Sequence, residues 1–452
     1  MECFLHIGID DTDSTKQGCT TYIAALLVEK IFGMNAVFLD YPHLIRLNPN
    51  IPWKTRGNGA LCLRVKVVEN LKESLVEEVV QTVEENADLD APGTEPGIVV
   101  YTGQEIPPAL TKFALRTITR VVRREEAIRL IQRFQCEAIG FKGGRGLIGA
   151  LAAIGEPLFR DHTYELIAYR SKKNRGTLRR VDDASVFEMN NKTKGVTFNN
   201  VDYAKRRILI KPRGPDPVLL GIRGETSEAV KKAFGMLKVL EAVERWIVFR
   251  TNQGTDAHLF NIDSISQAHP NCTVVVTGSI INEPKTIPGR HVIFTIGDES
   301  GSIDCAAYEP TGKFKNEVRK LMNGDVVEVY GGVRCPSNGN PTTINLEKMR
   351  VIKLASKTIL RNPICQPCGK SMESMGRGQS FRCKKCGRRD RNAKKLVVPI
   401  KRTLTERLYI PPPRAHRHLT KPESRYNHEK SLVRKPLFPK HFWGLGKKLT
   451  HN

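Results

Sequence analysis

Residues 3–9 are apolar without alternation, a pattern that predicts a strand buried on both faces. Ile23, Leu26, Leu27 and Ile31 follow at helical spacing. The stretch 41–52 carries prolines at 42, 49 and 52 and reads as a long loop or an edge strand. A strand is expected at 61–67. An amphipathic helix is expected at 71–87, with Leu71, Leu75, Val79 and Val83 on its apolar face. Residues 92–97 read as a loop, and helices are expected at 110–122 and 124–134. A glycine-rich segment, 141–146, then opens into a helix of small residues reaching Gly155.

Between 162 and 250 the pattern mixes strands at 164–169, 206–210 and 246–250 with a helix at 226–240, which suggests an α+β layer. Cations at 170–180 look like an edge for a phosphate backbone. The character changes at 268. Short strands are expected at 273–280, 291–296, 302–307, 326–330 and 344–351, with a helix at 313–322 between the third and fourth. Asp298-Glu299-Ser300-Gly301 supplies a hairpin turn. Five strands with that helix in that place match an OB-fold β-barrel, a common binder of single strands.

Composition narrows the class. The chain has 452 residues, of which 40% are hydrophobic and 26% charged, enough for about three domains of ~150 residues each. No apolar run approaches the ~18 residues of a membrane helix, and the first residues run into a strand with no basic leader, so no secretory signal is expected. Net charge is +25, and it is uneven: from Ser356 onward there are 25 Lys and Arg against 5 Asp and Glu. A concentrated excess of that kind points to a polyanion, most often nucleic acid, although a solvated tail gives the same pattern. Of the eleven cysteines, Cys3, Cys19, Cys62, Cys136, Cys272, Cys305 and Cys335 are scattered, which suits a reducing, cytoplasmic location better than a disulfide framework.

Four stretches carry candidate chemistry. In Gly8-Ile9-Asp10-Asp11-Thr12-Asp13-Ser14, three carboxylates stand at the end of the first strand, and Thr20 and Thr21 open the helix that follows. Hard carboxylate oxygens beside a helix N-terminus suit Mg2+ and phosphate; an ordinary acidic turn is the alternative. Lys54-Thr55-Arg56-Gly57-Asn58-Gly59 joins two cations to two glycines, either a phosphate site or a turn into a strand. Gly143-Gly144-Arg145-Gly146 lacks the Gly-Lys-Ser/Thr ending of a Walker A loop. It can still offer N–H groups and Arg145 to phosphate, or serve close helix packing. Cys365-x2-Cys368 and Cys383-x2-Cys386 have the spacing of a structural Zn2+ site. Arg382, Lys384, Lys385, Arg388 and Arg389 decorate the second pair as a basic, RNA-binding platform. The remainder, 396–452, reads as a basic arm ordered mainly when bound.

Taken together these motifs resemble the archaeal tRNA 2-agmatinylcytidine synthetase family. The resemblance lies in residues 8–14 with Cys19-Thr20-Thr21, in Ile45-Arg46-Leu47-Asn48-Pro49, in 54–60 and in 144–150, and the domain order agrees through the zinc ribbon. It implies a multidomain α+β chain. The parts are an ATP-binding kinase-like α/β domain (1–160), a ferredoxin-like α+β domain (161–266, either following the first or interdigitated with it), an OB fold (267–355), a zinc ribbon (356–395) and the basic arm (396–452). It further implies a ligase that joins agmatine to carbon 2 of the wobble cytidine of the AUA-reading isoleucine tRNA, with ATP going to AMP and two phosphates. By the same resemblance Asp10, Asp11 and Asp13 are the metal-binding acids, and Thr20, or less well Thr21, is an autophosphorylated threonine. ATP, Mg2+ and Zn2+ are the implied cofactors. A non-catalytic OB-fold and ribbon protein that binds tRNA is the competing class; it leaves the acid cluster without a purpose. A DNA ligase-like nucleotidyl transferase would need a Lys-x-Asp-Gly site, which the sequence lacks.

Overall fold

A computed structural model describes residues 1–430, except 56, 338, 340, 377 and 378, together with 442–445. The first apolar run forms β1 (Glu2–Asp10), buried along nearly its whole length. Next in chain order come α1 (Thr20–Gly33), β2 (His43–Arg46), β3 (Gly59–Val68), α2 (Lys72–Asn86), β4 (Gly97–Thr102), α3 (Pro108–Thr119), α4 (Arg124–Arg133), β5 (Glu137–Gly140) and α5 (Gly146–Gly155). The second stretch supplies β6 (Thr163–Arg170), α6 (Asp183–Lys192), β7 (Val218–Gly224), α7 (Ser227–Gly235) and β8 (Val243–Thr251).

These strands make one sheet, in the order β5–β4–β1–β3–β2–β8–β6–β7. The two expected N-terminal domains therefore share a hydrogen-bonded layer. They join where β2 pairs in parallel with β8, Arg250 opposite His43 and Thr251 opposite Leu44; the other pairings of the sheet are antiparallel. Residues 41–52 thus hold a central strand, not a loop or an edge. Its four residues fit between Pro42 and Pro49, so neither proline has to join the ladder. Apolar residues of α1, α2, α6 and α7 share one core with the sheet, whereas α3, α4 and α5 close the opposite face over Ile45, Ala60, Cys62 and Val99. The helix expected at 226–240 ends at Gly235, and the strand at 206–210 shrinks to Arg207–Ile208. The strands Gly97–Thr102 and Val218–Gly224 and the helix Asp183–Lys192 are additions to the expected pattern.

Arg170 and Arg179 turn inward, contrary to the expected basic edge. Arg170 is 1% exposed and lies 2.6 Å from Glu241, and Arg179 pairs with Asp216 at 3.3 Å.

Residues 273–353 close into a five-stranded barrel of Thr273–Ile287, His291–Asp298, Gly301–Ala307, Val326–Arg334 and Thr343–Lys353, with α8 (Lys313–Val318) between the third and fourth strands. The barrel is sealed where Gly301–Ala307 runs parallel to Thr343–Lys353. The expected turn is present: Ser300 and Gly301 donate their N–H groups to Asp298 Oδ1 at 2.7 and 3.1 Å. Thr358–Arg361 pairs with Leu396–Pro399 as a two-stranded stalk that carries the two cysteine knuckles.

The last segment departs most from expectation. Residues 402–430 are docked as a strap over the other domains. Arg402 is held by Asp325, Arg414 pairs with Asp202 at 2.6 Å, and Arg417 pairs with Glu347 at 3.0 Å. Arg425, 1% exposed, is clasped between Asp161 at 2.8 Å and Glu225 at 2.6 Å. Most of the cations of this strap are thus paired with acids of the other domains. Phe442 is buried against Phe38 and Tyr41, and Trp443–Leu445 pairs with β8. Among the described residues no helix is long and apolar enough to cross a membrane.

Candidate active site

A cleft of about 460 Å³ opens between the ends of β1 and α1, the loop before β3, residues of β6 and β7, and the strap. Asp10, Asp11, Asp13, Thr20, Thr21, Lys54, Gly57, Gly59 and Arg145 line it, so the structure gathers the acid, threonine and Lys54 motifs in one place. Arg56 lies outside the described residues.

The acids are crowded for a physical reason. Asp10 is the last residue of β1, and Asp11 takes a left-handed conformation (φ 60°) that turns the chain there. Burial, and the neighbouring Asp11 carboxylate, push the Asp10 carboxyl well above the usual range. Burial also raises Asp11, although Arg145, 2.6 Å away, opposes the rise. Asp13 Oδ1 accepts from Thr55 Oγ1 at 3.1 Å, tying the loop of Lys54 to the acids. Half-buried acidic groups that repel one another are the donor set a hard cation relieves. Their oxygens do not converge as tightly as the cysteine sulfurs: among the described residues the four-cysteine group is the one whose ligand atoms all lie within 4.8 Å. Such an open set fits a cation that takes its remaining ligands from phosphate and water.

At the start of α1, Thr12 donates to Thr20 Oγ1 at 3.1 Å, and Thr20 is 8% exposed. The Thr21 hydroxyl lies 3.1 Å from Cys19 Sγ.

The glycine-rich segment serves packing. Gly144 N donates to Phe141 O and Gly146 N to Glu95 O, each at 2.9 Å, so these N–H groups have internal acceptors. A Cβ on Gly146 would fall 2.4 Å from Gly97 N, one on Gly143 would fall 2.2 Å from Glu95 Oε2, and one on Gly149 would fall 1.9 Å from Asp10 Oδ2. The segment brings α5 down onto β1 and β4 and sends Arg145 to Asp11. Of the residues 143–146, only Arg145 lines the cleft.

Sequence reasoning missed the opposite wall. Glu165 of β6 is 3.0 Å from Arg223 of β7 and 3.7 Å from Arg46 of β2, and it accepts from Gln253. Into this cluster the strap delivers His418, whose Nδ1 lies 3.0 Å from Arg223 Nη2 and 3.0 Å from Gln253 Oε1. The strap is held there by its backbone. Gly254 N donates to His418 O at 2.9 Å, and Asp256 N donates to Leu419 O at 2.8 Å. The Arg46 charge, together with that of Arg223, pushes the His418 pKa well down, which favours the neutral imidazole. Arg46 Nε is buried with no hydrogen-bond partner among the described residues. These groups come from five distant segments, and the only sequence signal was Ile45-Arg46-Leu47-Asn48-Pro49.

At the far end of the molecule, Sγ–Sγ distances among Cys365, Cys368, Cys383 and Cys386 are 3.3 to 3.9 Å for the pairs in contact. Ligands ~2.3 Å from a tetrahedral centre stand ~3.8 Å apart, so the cluster fits Zn2+. Cys383 is pulled below the usual thiol range by the Cys386 backbone N–H and the Cys368 thiol, which favours the thiolate. Arg382, Lys384, Lys385, Arg388 and Arg389 are all exposed around the second knuckle.

Comparison with known proteins agrees with this layout. Four family models match in succession: "TiaS TCKD domain" over residues 6–67, "TiaS FLD domain" over 144–258, "OB-fold nucleic acid binding domain" over 274–352, and "TiaS C-terminal zinc ribbon domain" over 362–404. The chain is 44% identical over 423 residues to TiaS of Archaeoglobus fulgidus, an isoleucine tRNA 2-agmatinylcytidine synthetase, in an alignment covering 94% of this chain and 98% of that protein. Among solved structures, apo TiaS, an isoleucine tRNA agmatidine synthetase, is 41% identical with a TM-score of 0.84, covering 97% of this chain and 100% of the other. A complex of TiaS with its isoleucine tRNA, AMPCPP and agmatine is 40% identical with a TM-score of 0.82, covering 93% and 96%. With an OB fold and a four-cysteine zinc ribbon on a shared catalytic sheet, and with this likeness along nearly its full length, the chain belongs to the TiaS family of isoleucine tRNA 2-agmatinylcytidine synthetases.

Proposed function

We propose that this protein uses ATP to join agmatine to carbon 2 of the wobble cytidine of the AUA-reading isoleucine tRNA. The observation that carries the reading is the cleft. In a chain 44% identical to a synthetase of that name, the acid cluster, two threonines and several cations face one space.

The chemistry follows from what each step must overcome. The cytosine 2-oxo oxygen is a poor leaving group. Phosphorylating it forms an O–P bond as the β–γ phosphoanhydride bond of ATP breaks, and water then cleaves the α–β bond of the ADP that is left, giving AMP and a second phosphate. The primary amine of agmatine then bonds to carbon 2, the carbon–oxygen bond breaks, the phosphate departs with that oxygen, and the amine loses its proton. Asp10, Asp11 and Asp13 would hold Mg2+, which when bound neutralises charge on the transferring phosphoryl group. Lys54, Arg46 and Arg145 stand where they can bind phosphate oxygens. Thr20, whose hydroxyl lies 3.1 Å from that of Thr12, is the candidate for autophosphorylation, with Thr21 the alternative. Gly57 and Gly59 leave room beside His418 and Arg46, whereas the part of Gly143, Gly144 and Gly146 is to seat α5. The target base has to leave its stack to reach the cleft. The ribbon cations and the barrel would grip the tRNA backbone at a distance from the chemistry. The reaction belongs in the cytoplasm, where tRNA and reduced thiols coexist.

The test is direct. Full-length, zinc-loaded protein incubated with ATP, Mg2+, agmatine and unmodified isoleucine tRNA should give one agmatine per tRNA at the wobble cytidine by digestion and mass spectrometry, with AMP accumulating. Tight tRNA binding with an unaltered cytidine would leave only an RNA-binding protein.

A further inference from the structure

Trp53 lines the cleft and is 50% exposed. The other two tryptophans are engaged: Trp246 stands against Phe234 and Trp443 against Phe32. Among the described residues no ring stacks on Trp53, and its indole N–H has no acceptor. A single exposed apolar side chain is ordinary on a protein surface. The loop under this one is not ordinary.

The loop is fastened at its base. Leu47 N donates to Asn58 O at 3.1 Å, and Asn58 Nδ2 to Asn48 O at 3.0 Å, closing its base. Asn48 Nδ2 donates to Asn271 O at 2.7 Å, and Asn50 Nδ2 to Thr273 Oγ1 at 2.7 Å, fixing it to the first strand of the OB barrel. Arg417 of the strap donates to Asn50 Oδ1 at 2.7 Å. The barrel accommodates the contact with a glycine, since a Cβ on Gly332 would fall 2.3 Å from Asn50 Oδ1. An aromatic ring presented on an anchored loop beside a cleft lined by acids and cations is a stacking platform: it offers a π-face at low entropic cost. Lys54 beside it and Arg120, which also lines the cleft, supply the charge that would follow a phosphate chain.

We propose that Trp53 is a nucleobase-stacking position at the mouth of the catalytic cleft. This deepens the function proposed above and rests on it for the identity of the RNA. Two bases have the required chemistry, an unpaired base of the tRNA and the adenine of ATP. The tether to the barrel and the position on the rim favour the tRNA base.

Full-length, zinc-loaded wild type, Trp53→Phe and Trp53→Ala are titrated separately with isoleucine tRNA and with ATP in the absence of agmatine. Tryptophan fluorescence gives the binding signal, and the variants isolate the Trp53 contribution from the other two tryptophans. KM for tRNA and KM for ATP are then measured in the complete reaction. The expected result is quenching of Trp53 emission by tRNA. Trp53→Ala should weaken tRNA binding roughly ten- to a hundredfold, with Trp53→Phe close to wild type and KM for ATP unchanged. Quenching by ATP alone, with a raised KM for ATP in Trp53→Ala, would identify adenine as the stacked base. If neither ligand changes the emission and Trp53→Ala keeps both KM values, the stacking position is refuted. Because the titrations need no turnover, a stack seen without product formation counts against the reaction, and product formed without a stack counts against Trp53.

Discussion

Replacing Arg425 by alanine should release the strap and with it one wall of the cleft. The side chain is 1% exposed. Its guanidinium donates to Asp161 Oδ1 at 2.8 Å, to Asp161 Oδ2 at 3.1 Å, to Glu225 Oε1 at 2.6 Å and to Gly254 O at 2.6 Å. The substitution leaves two carboxylates facing each other without their shared cation. Deleting one partner of a buried pair costs about 3–5 kcal/mol. Lys430, 3.2 Å from Glu225, and Lys421, 3.8 Å from Asp161, remain as partial counter-charges. The lower end, about 3 kcal/mol, is therefore the reasoned value, a shift of roughly a hundredfold in the docking of the strap. Hydrogen exchange over 411–430 should rise in Arg425→Ala while the central strands stay protected. Turnover should fall, because His418 leaves the Arg46–Glu165–Arg223 cluster. Arg425→Lys should lie between, since a point charge cannot reach both carboxylates and Gly254 O at once. Unchanged exchange over 411–430 would refute the claim that this ion cluster fastens the strap.

Metal analysis should find one Zn2+ per chain; Cys383→Ser should lose it and weaken tRNA binding with a shallower salt dependence, while the catalytic sheet stays folded. Asp11→Asn and Asp13→Asn should abolish Mg2+-dependent ATP turnover with little change in tRNA affinity, and Thr20→Ala should remove the phosphopeptide seen by mass spectrometry. Since Asp10 titrates above the usual carboxylate range and Mg2+ needs it ionised, Mg2+ affinity should fall as pH is lowered through that raised value, and Asp10→Asn should erase this dependence. In the metal-free protein the sign reverses: folding favours the neutral acid, so stability is lost as pH rises through the folded-state pKa, and Asp10→Asn should abolish that loss in thermal melts.

Local chemistry was legible and distant chemistry was not. The uninterrupted apolar run of Glu2–Asp10, the short strands of the barrel and the paired cysteines each carry their signal within a few residues of themselves. The acid cluster and Thr20, expected from neighbouring residues in the same way, line one cleft. The prolines around His43–Arg46 hid a central strand, because the edge-strand rule concerns prolines inside a ladder and these lie outside it. The glycines at 143–146 admitted both a phosphate and a packing role, and only the backbone distances to Gly97 and Glu95 decide in favour of packing. The strap was misread as a free arm because its partners Asp161, Asp202, Glu225 and Glu347 lie far upstream, and a run of cations without visible partners looks like a surface for RNA. Removing everything after Ser356 would therefore damage the cleft as well as the tRNA grip.

The parallel pairing of His43–Arg46 with Val243–Thr251 limits how this enzyme can move. Enzymes that clamp a substrate between two lobes swing about a linker. Here the two halves are sewn along a ladder, and Arg250 stitches the seam from beneath through Asp40 at 2.6 Å. Opening such a seam would break the β2–β8 pairing of His43 with Arg250 and Leu44 with Thr251, together with the Arg250–Asp40 pair. The distance from Asp10 on one half to Glu165 on the other is thus set when the chain folds, before any ligand arrives. The adaptable part of the encounter falls to the RNA: the anticodon loop has to deform to fit a fixed mould.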